Sequence, residues 1–267
     1  MIRDITIGQY YPADSILHRL DPRTKLMGTL IFIISVFLFH TIPGYAVATI
    51  FLAALIKISK VPVKFIFKGL KAIFVILIIT MLFNIFLTPG EVIWKLGFLK
   101  MTKEGISLAV RMAIRLIYLV IGSSLMTLTT TPNQLTDGLE RGLRPLNRLH
   151  VPVHEISMMM SIALRFIPIL LEETDKIMKA QIARGADFED GNLIQKVKNM
   201  VPLLVPLFIS AFRRANDLAM AMEARCYHGG EHRTQMKPLC YEKRDHVTYL
   251  ILAAYLAVAI TFRVVGI

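Results

Sequence analysis

Four stretches of this chain are strongly apolar and carry no Asp, Glu, Lys or Arg, whereas the segments between them mix apolar and charged residues. The uncharged stretches are residues 26–56, 72–90, 116–131 and 247–262. An apolar run of about 18 residues or more is typical of a transmembrane helix. Hydrophobic residues make up 55% of the chain, above the roughly 45–50% of soluble domains. The pattern predicts an all-α, polytopic membrane protein.

The first uncharged run is long enough to cross the membrane twice, and its flanks support that prediction. Arg23 and Lys25 precede the run and five lysines follow it between positions 57 and 71. Because cytoplasmic loops carry an excess of Lys and Arg, both flanks are expected in the cytoplasm. Pro43 and Gly44 would supply the turn. A single kinked helix is the alternative, and it would invert the orientation of every later element.

The two arms of this hairpin are short. Each arm has about 14 residues, or about 21 Å at 1.5 Å per residue, which is less than the roughly 30 Å hydrocarbon core. We therefore expect a shallow hairpin, or arms that extend into the flanking residues. No cleavable signal peptide is expected, because residues 1–25 are polar and charged.

Three further spans follow from the remaining runs. Residues 72–88 lead outward, residues 104–130 return, and residues 247–262 form the last helix. The total is about five transmembrane helices, with the N-terminus in the cytoplasm. Arg111 and Arg115 fall on one face of the 104–130 helix. We expect them near the outer interface or paired within the bundle, because an isolated charge in a membrane is costly.

The segment 132–246 differs from the rest of the chain. It contains sixteen Lys or Arg and fourteen Asp or Glu, interleaved with apolar residues. This mixture is typical of amphipathic helices at an interface rather than of membrane spans. The predicted organisation is therefore a membrane segment at 1–131, interfacial helices at 132–246 and a final membrane helix at 247–267.

Three helices are expected within 132–246. The first begins with Thr131 as N-cap and Pro132 at the first helical position. The second closes at Gly185, a suitable C-terminal glycine. The third begins after Asn192 and is expected to end at Gly229-Gly230. The last two have about 34 and 36 residues, and each would be about 50 Å long.

The second and third helices end in the same short pattern, Ala-Arg followed by a small residue. These two segments are Ala183-Arg184-Gly185 and Ala224-Arg225-Cys226, called here the arginine tips. A single arginine at a helix C-terminus is explained by the helix dipole, worth about 0.3–1 kcal/mol. Two such ends favour a docking role, because a guanidinium offers five donors in a fixed fork.

The chain resembles the transmembrane T component of energy-coupling factor (ECF) transporters, which take up vitamins and trace nutrients in prokaryotes. The resemblance covers essentially the whole chain and rests on LDPRTKL at 20–26, LRFIP at 164–168 and EARC at 223–226. It implies that the arginine tips end cytoplasmic coupling helices and insert into grooves on two ATP-binding cassette subunits. Cys226 stands where Gly or Ser is usual in that family.

The resemblance also implies a mechanism and a location. The chain would lie in the cell membrane of a prokaryote and pass ATP-driven motion to a separate substrate-binding S subunit, which is either dedicated to it or exchangeable between transporters. ATP would be bound by the partner subunits, so that no cofactor and no metal are expected on this chain. The S-subunit contact is expected on apolar parts of the long helices: Met158, Met159, Met160, Leu203, Leu204, Leu207 and Phe208. Methionine suits a surface that accepts several partners, although a methionine run is more often simply core.

The sequence also bears on three alternatives: an enzyme, a conventional ABC permease and a zinc site. An enzyme finds no support in the sequence, which lacks HExxH, GxSxG and P-loop motifs. Without a Walker A motif, the chain has no ATP site of that type. A conventional ABC permease would offer more full-length spans. A zinc site at Cys226, His228, His232 and Cys240 has a spacing that matches no common structural zinc pattern.

The net charge of +12 does not indicate nucleic-acid binding. Much of it comes from Lys and Arg that flank membrane segments, and such residues suit the anionic head groups of the lipid bilayer.

Overall fold

The computed structural model describes residues 10–39, 41–96, 99–186, 188, 192–229 and 238–265. Within these ranges the chain is almost entirely helical, which confirms the all-α prediction. The elements are α1 Pro22–Leu38, α2 Ile42–Ser59, α3 Val63–Leu87, β1 Val92–Leu96, β2 Leu99–Thr102, α4 Lys103–Thr129, α5 Pro132–Leu143, a 3-10 helix Arg144–Leu149, α6 Val153–Ala183, α7 Leu193–Glu223 and α8 Lys243–Val265.

The described residues form two compact units. One, called here the bundle, comprises Gly8–Gly138 and Leu239–Ile267, and the other, called the α6–α7 unit, lies within Leu139–Pro238. The division falls inside α5. This helix starts as expected, because Thr131 and Gln134 exchange hydrogen bonds between side chain and backbone N–H at 3.2 and 3.3 Å. That reciprocal pair is a capping box.

The first uncharged run forms two helices, α1 and α2, rather than one kinked helix. The rings of Phe32 and Phe51 lie 6.1 Å apart, and the Phe39 ring covers the α-carbon of Gly44. These pairs place the helices antiparallel, as a hairpin requires. Pro43 lies in the first turn of α2 instead of at the turn itself, because its fixed φ suits that position.

An aromatic cluster holds the bundle together. Phe51 stacks on Tyr255 of α8 with ring centroids 4.2 Å apart, and the Ser35 hydroxyl donates to the Tyr255 hydroxyl at 2.9 Å. The buried members are Phe32, Val36, Phe39, Tyr45, Ala48, Leu52, Tyr255 and Ala259. Lipid tails are as apolar as this cluster, so close van der Waals packing and the interhelical hydrogen bond stabilise it.

Three helices in the described part of the chain are long and apolar enough to span a membrane: α4, α6 and α8. The helix α3 makes a fourth if its two halves, bent by 57°, count as one span. The predicted total of about five included α1 and α2, which have only 17 and 18 residues. Their length, about 26 Å, agrees with the expected short hairpin. The helix α6 passes this test although the sequence pattern placed it among the interfacial helices.

Arg115 of α4 is engaged inside the bundle. Its Nη2 donates to the Phe39 carbonyl at 3.4 Å and to the Tyr45 hydroxyl at 3.5 Å. Its guanidinium also lies 5.1 Å from the centre of the Phe37 ring. The side chain therefore reaches the break between α1 and α2, where carbonyls at the end of α1 lack helical partners.

A β-hairpin joins α3 to α4, between the two apolar runs that the sequence pattern predicts as spans. Its strands pair antiparallel, with Val92 opposite Thr102 and Leu96 opposite Leu99. The short alternating run around Trp94 is a weak signal, which explains why the hairpin was not predicted.

Candidate functional site: the α6–α7 pair and its arginine tips

The helices α6 and α7 pack antiparallel within their unit. Near the end of α6, Gln181 Nε2 donates to the Pro202 carbonyl at 3.2 Å. Midway, Arg214 Nη2 lies 2.5 Å from Glu173 Oε2. The start of α6 and the end of α7 line a common cavity of about 550 Å³. The end of α6 therefore faces the first half of α7, and the end of α7 faces the start of α6.

The Gln181 contact follows from the prolines in α7. Pro206 has no backbone N–H, so the carbonyl of Pro202, four residues earlier, receives no helical hydrogen bond. The side-chain amide of Gln181, on the neighbouring helix, donates a hydrogen bond to this carbonyl instead. A proline that weakens α7 locally thus creates an acceptor that fixes α6 against it.

Glu173 is the main polar contact at the middle of the pair. Its two carboxylate oxygens accept from the Ser210 hydroxyl and from Arg214. The side chains of Glu173 and Arg214 are 22% and 38% exposed, so water screens this ion pair only in part. Because both acceptor oxygens are used, the contact fixes the register of the two helices.

The first arginine tip closes α6 with a Schellman motif. The N–H of Ala186 donates to the Gln181 carbonyl at 3.0 Å, and the N–H of Gly185 to the Ile182 carbonyl at 2.9 Å. Gly185 has a φ of +88°, the left-handed conformation that glycine adopts without strain. The sequence prediction of Gly185 as the closing residue is confirmed.

The second arginine tip closes α7 in the same way. The N–H of Tyr227 donates to the Met222 carbonyl at 3.1 Å, and that of Cys226 to the Glu223 carbonyl at 2.8 Å. Cys226 has a φ of +55° and takes the place that Gly185 holds in the first tip. The prediction that α7 continues to Gly229 is wrong, because the left-handed residue at Cys226 ends the helix earlier.

Both tip arginines are exposed. Neither guanidinium makes a hydrogen bond or ion pair with another described residue. The antiparallel packing places the two tips at opposite ends of the pair. Between Pro202, which faces the end of α6, and Arg225, the helix α7 covers about 35 Å at 1.5 Å per residue. The tips are thus two separate cationic points.

The residues expected to contact an S subunit differ in accessibility. Leu203 is buried, with 6% of its surface exposed, so it belongs to the interior. Met158 and Leu207 are half-buried, and Met158 lines the cavity beside Arg225. The exposed members are Met159, Met160, Leu204 and Phe208, at 58%, 42%, 39% and 61%.

A longer exposed apolar surface runs along α7, and the sequence analysis identified only part of it. Its members recur every three or four residues and therefore share one face of the helix. They are Ile194, Val197, Val201, Val205, Phe208 and Phe212, which are 85%, 67%, 48%, 50%, 61% and 69% exposed. We call this surface the α7 stripe. Its helical periodicity was present in the sequence and could have revealed it.

The LDPRTKL segment has a structural role in the bundle. Asp21 caps α1 by accepting from the Arg23 N–H at 2.9 Å, and the Arg23 guanidinium returns two hydrogen bonds to the same carboxylate. The Asp21 N–H in turn donates to Asp245 of α8 at 2.9 Å. Lys25 Nζ donates to the Thr129 carbonyl at 2.9 Å. The segment thus joins the starts of α1 and α8 to the end of α4.

Tyr241, two residues before α8, completes this junction. The Arg23 guanidinium lies 3.9 Å from the centre of the Tyr241 ring, a cation–π contact. Desolvation raises the pKa of the Tyr241 hydroxyl above its ordinary value, and a hydrogen bond with Tyr249 adds to the rise. Tyr241 therefore stays neutral near neutral pH.

A polar cluster joins α5 to α6. His154 Nδ1 lies 2.9 Å from Glu140 Oε1, and the Ser157 hydroxyl donates to Glu140 Oε2 at 3.0 Å. The serine bonds to the carboxylate and not to the imidazole. The arrangement therefore lacks the serine–histidine contact that activates a nucleophile.

The zinc alternative depends on residues that the structure covers only in part. His232 lies outside the described residues. Cys226 and Cys240 are exposed free thiols. Among the residues that were described, no group of three His, Cys, Asp or Glu side chains could hold a metal ion.

A family model and individual relatives of this chain all indicate the same family of transport proteins. A family model described as cobalt transport protein (CbiQ) matches residues 13–236. An energy-coupling factor transporter transmembrane protein, EcfT, from Clostridium kluyveri is 54% identical over 266 residues, which cover 99% of this chain and 98% of the relative. The EcfT protein of Bacillus subtilis is 48% identical over 260 residues, covering 96% and 98%.

A helical chain with apolar helices long enough to span a membrane is thus similar, over nearly its whole length, to transmembrane components of transporters. This chain belongs to the EcfT family, the transmembrane proteins of energy-coupling factor transporters.

Proposed function

We propose that this chain transmits ATP-driven motion from two ATP-binding cassette subunits to a membrane-embedded S subunit, for uptake of a vitamin or micronutrient. The observation that carries the proposal is the matched pair of arginine tips. Each presents an exposed guanidinium without a described partner on a Schellman-closed helix end. The tips lie at opposite ends of one antiparallel pair, so that each suits a different ATPase subunit.

Rigid helices are needed for such transmission, and the contacts between α6 and α7 supply this rigidity. The hydrogen bonds at Glu173 and Gln181 hold the pair at two levels. When ATP closes the ATPase pair, the grooves that hold Arg184 and Arg225 move together. The two helices then move as one body rather than sliding past each other.

The S subunit has a natural position on the α7 stripe. Monomeric soluble proteins rarely expose an apolar stripe of this length, and such a stripe marks a contact with a partner or with lipid. The stripe, together with Met159 and Met160, offers deformable and apolar side chains that suit exchangeable partners. In this arrangement the N-terminus and the arginine tips face the cytoplasm, and ATP is bound by the partner subunits alone.

The first test is co-purification from membranes with the tagged full-length chain. We expect the wild-type chain to recover ATP-binding cassette subunits and a small membrane protein, measured by quantitative mass spectrometry. Arg184→Glu combined with Arg225→Glu should lose the ATPases at least tenfold, because a carboxylate cannot donate the hydrogen bonds of the guanidinium fork. The same variant should retain the small membrane protein.

Matched variants separate the parts of the proposal. Arg144→Glu combined with Arg148→Glu makes the same charge change on the exposed 3-10 helix and should leave both partners bound. Phe208→Asp should lose the membrane protein and keep the ATPases. Wild-type recovery of both ATPases by the double tip variant would refute the docking role. Recovery of neither partner by the wild-type chain would instead support a permease or an enzyme.

A further inference from the structure

A cavity of about 680 Å³ opens within the bundle. Its walls come from α1, α2, α4 and α8 and from residues 16–20 before α1. Side chains of Leu, Ile, Phe and Val dominate the lining, and the volume lies within the roughly 300–1,000 Å³ of small-molecule sites. Gly28 and Gly122 form part of the wall. The cavity lies at the end of the bundle where α1 and α8 begin and where α2 and α4 end.

The depth of the cavity matches one leaflet of a bilayer. Along α8 it is lined from Lys243 to Leu252, and along α4 from Thr129 back to Gly122. The α8 wall is thus about 15 Å long at 1.5 Å per residue. A hydrocarbon core of about 30 Å contains two leaflets of about this depth.

Positive charge is concentrated at one end of this apolar space. Lys243 and Arg244 line the cavity in the first turn of α8 and are exposed. Arg244 Nε lies 3.5 Å from Glu242 Oε2, a long contact. Lys25 also lines the cavity, with its ammonium group directed at backbone carbonyls. No Asp or Glu is found among the described residues of the lining.

The cavity also opens sideways between the helices. Several of its apolar lining residues are exposed at the molecular surface, which in a membrane means contact with lipid chains. They are Ile16, Ile58, Val247 and Ile251, at 59%, 42%, 57% and 50%. A hydrocarbon chain could therefore enter from the bilayer without crossing a polar barrier.

We propose that this cavity binds one anionic phospholipid from the adjoining leaflet, with an acyl chain between α1, α2, α4 and α8 and the phosphate held by Lys243 and Arg244. The combination of an apolar chain site and a cationic rim fits an amphiphile with a negative head group. The proposal is independent of the ATPase and S-subunit contacts, which lie elsewhere on the chain.

Native mass spectrometry of the delipidated full-length chain tests this directly. The protein is titrated in detergent with dioleoylphosphatidylglycerol, with dioleoylphosphatidylcholine, or with inorganic phosphate. We expect one tightly held phosphatidylglycerol, weaker binding of phosphatidylcholine and no retained phosphate. Lys243→Glu combined with Arg244→Glu should reduce the preference for phosphatidylglycerol roughly tenfold, because basic side chains at this level attract anionic head groups.

A second variant tests the chain site separately from the charges. Ala54→Trp should fill part of the cavity and weaken both lipids while the cationic rim stays intact. The control Lys64→Glu with Lys68→Glu makes the same charge change at exposed positions of α3 outside the cavity and should bind like the wild type. Equal binding of the two lipids, or unchanged binding in both test variants, would overturn the proposal.

Discussion

At the scale of single residues, the two arginine tips share one backbone conformation with different side chains. Gly185 and Cys226 both adopt positive φ, at +88° and +55°. Gly185 adopts this conformation freely, whereas the β-carbon of Cys226 meets the following carbonyl. The sequence analysis grouped Cys226 with Gly185 only as a small residue that follows Ala-Arg. The structure shows that the decisive property is the backbone angle, so that the cysteine carries strain.

Replacing Cys226 by glycine should stabilise the end of α7. Removing the side chain relieves a left-handed strain of roughly 1 kcal/mol. Hydrogen–deuterium exchange of the amides at 226 and 227 should slow accordingly, while the exposed Arg225 stays available for the proposed docking. Cys240→Gly, at the other exposed cysteine, should bring no such gain. Faster exchange in Cys226→Gly would show that the thiol itself stabilises the tip.

At the scale of elements, side-chain contacts between α6 and α7 determine how the two helices pack. Each has 31 residues, close to the expected lengths. The sequence did not show how the two pack, because hydrogen bonds such as Ser210 to Glu173 join residues that are distant in the chain. The antiparallel packing separates the tips, where the sequence analysis treated them only as two similar ends.

Breaking the contact at Glu173 should loosen the pair. In a Cys240→Ser background, spin labels are attached at Cys226, after the end of α7, and at Ile182→Cys, near the end of α6. Double electron–electron resonance then measures the distance between these two labels. We expect Glu173→Arg or Arg214→Glu to broaden the distance distribution, because each variant places two like charges next to each other at positions 173 and 214. The charge-swapped double variant should narrow it again, recovering about 1 kcal/mol of coupling.

A neighbouring carboxylate provides the control for this experiment. Glu172 is exposed and precedes Glu173 on the same helix. The change Glu172→Arg therefore alters the charge equally but keeps the ion pair between Glu173 and Arg214. It should leave the distribution unchanged. An equally broad distribution for Glu172→Arg and Glu173→Arg would mean that general charge, and not the Glu173 contact, sets the distance.

At the scale of the whole molecule, the bundle closes by contacts between its first and last helices. Asp245 is 2% exposed and accepts from the N–H groups of Asp21 and Glu242, both at 2.9 Å. The stacked rings of Phe51 and Tyr255 join α2 to the same final helix. The final helix is therefore an integral wall of the bundle and not an appended anchor.

Asp245→Ala should destabilise the bundle by about 3 kcal/mol, since it leaves two backbone N–H groups without their charged acceptor. Thermal unfolding in detergent, followed by circular dichroism, measures the change. Glu242→Ala removes an exposed neighbouring carboxylate and should shift the midpoint far less. Equal midpoints for the two variants would show that Asp245 does not hold the helices together.

The sequence by itself determined the membrane class, the approximate helical segments, the start of α5 at Thr131 and Pro132 and the two arginine tips. These features follow from local patterns: apolar runs, cap residues and helix-ending motifs within a few neighbouring positions. The tertiary structure alone decided the partners of Arg115, Lys25 and Asp245, the antiparallel packing of α6 on α7 and the cavity in the bundle. Each of these depends on residues far apart in the chain, and their meeting is set by the packing of whole helices.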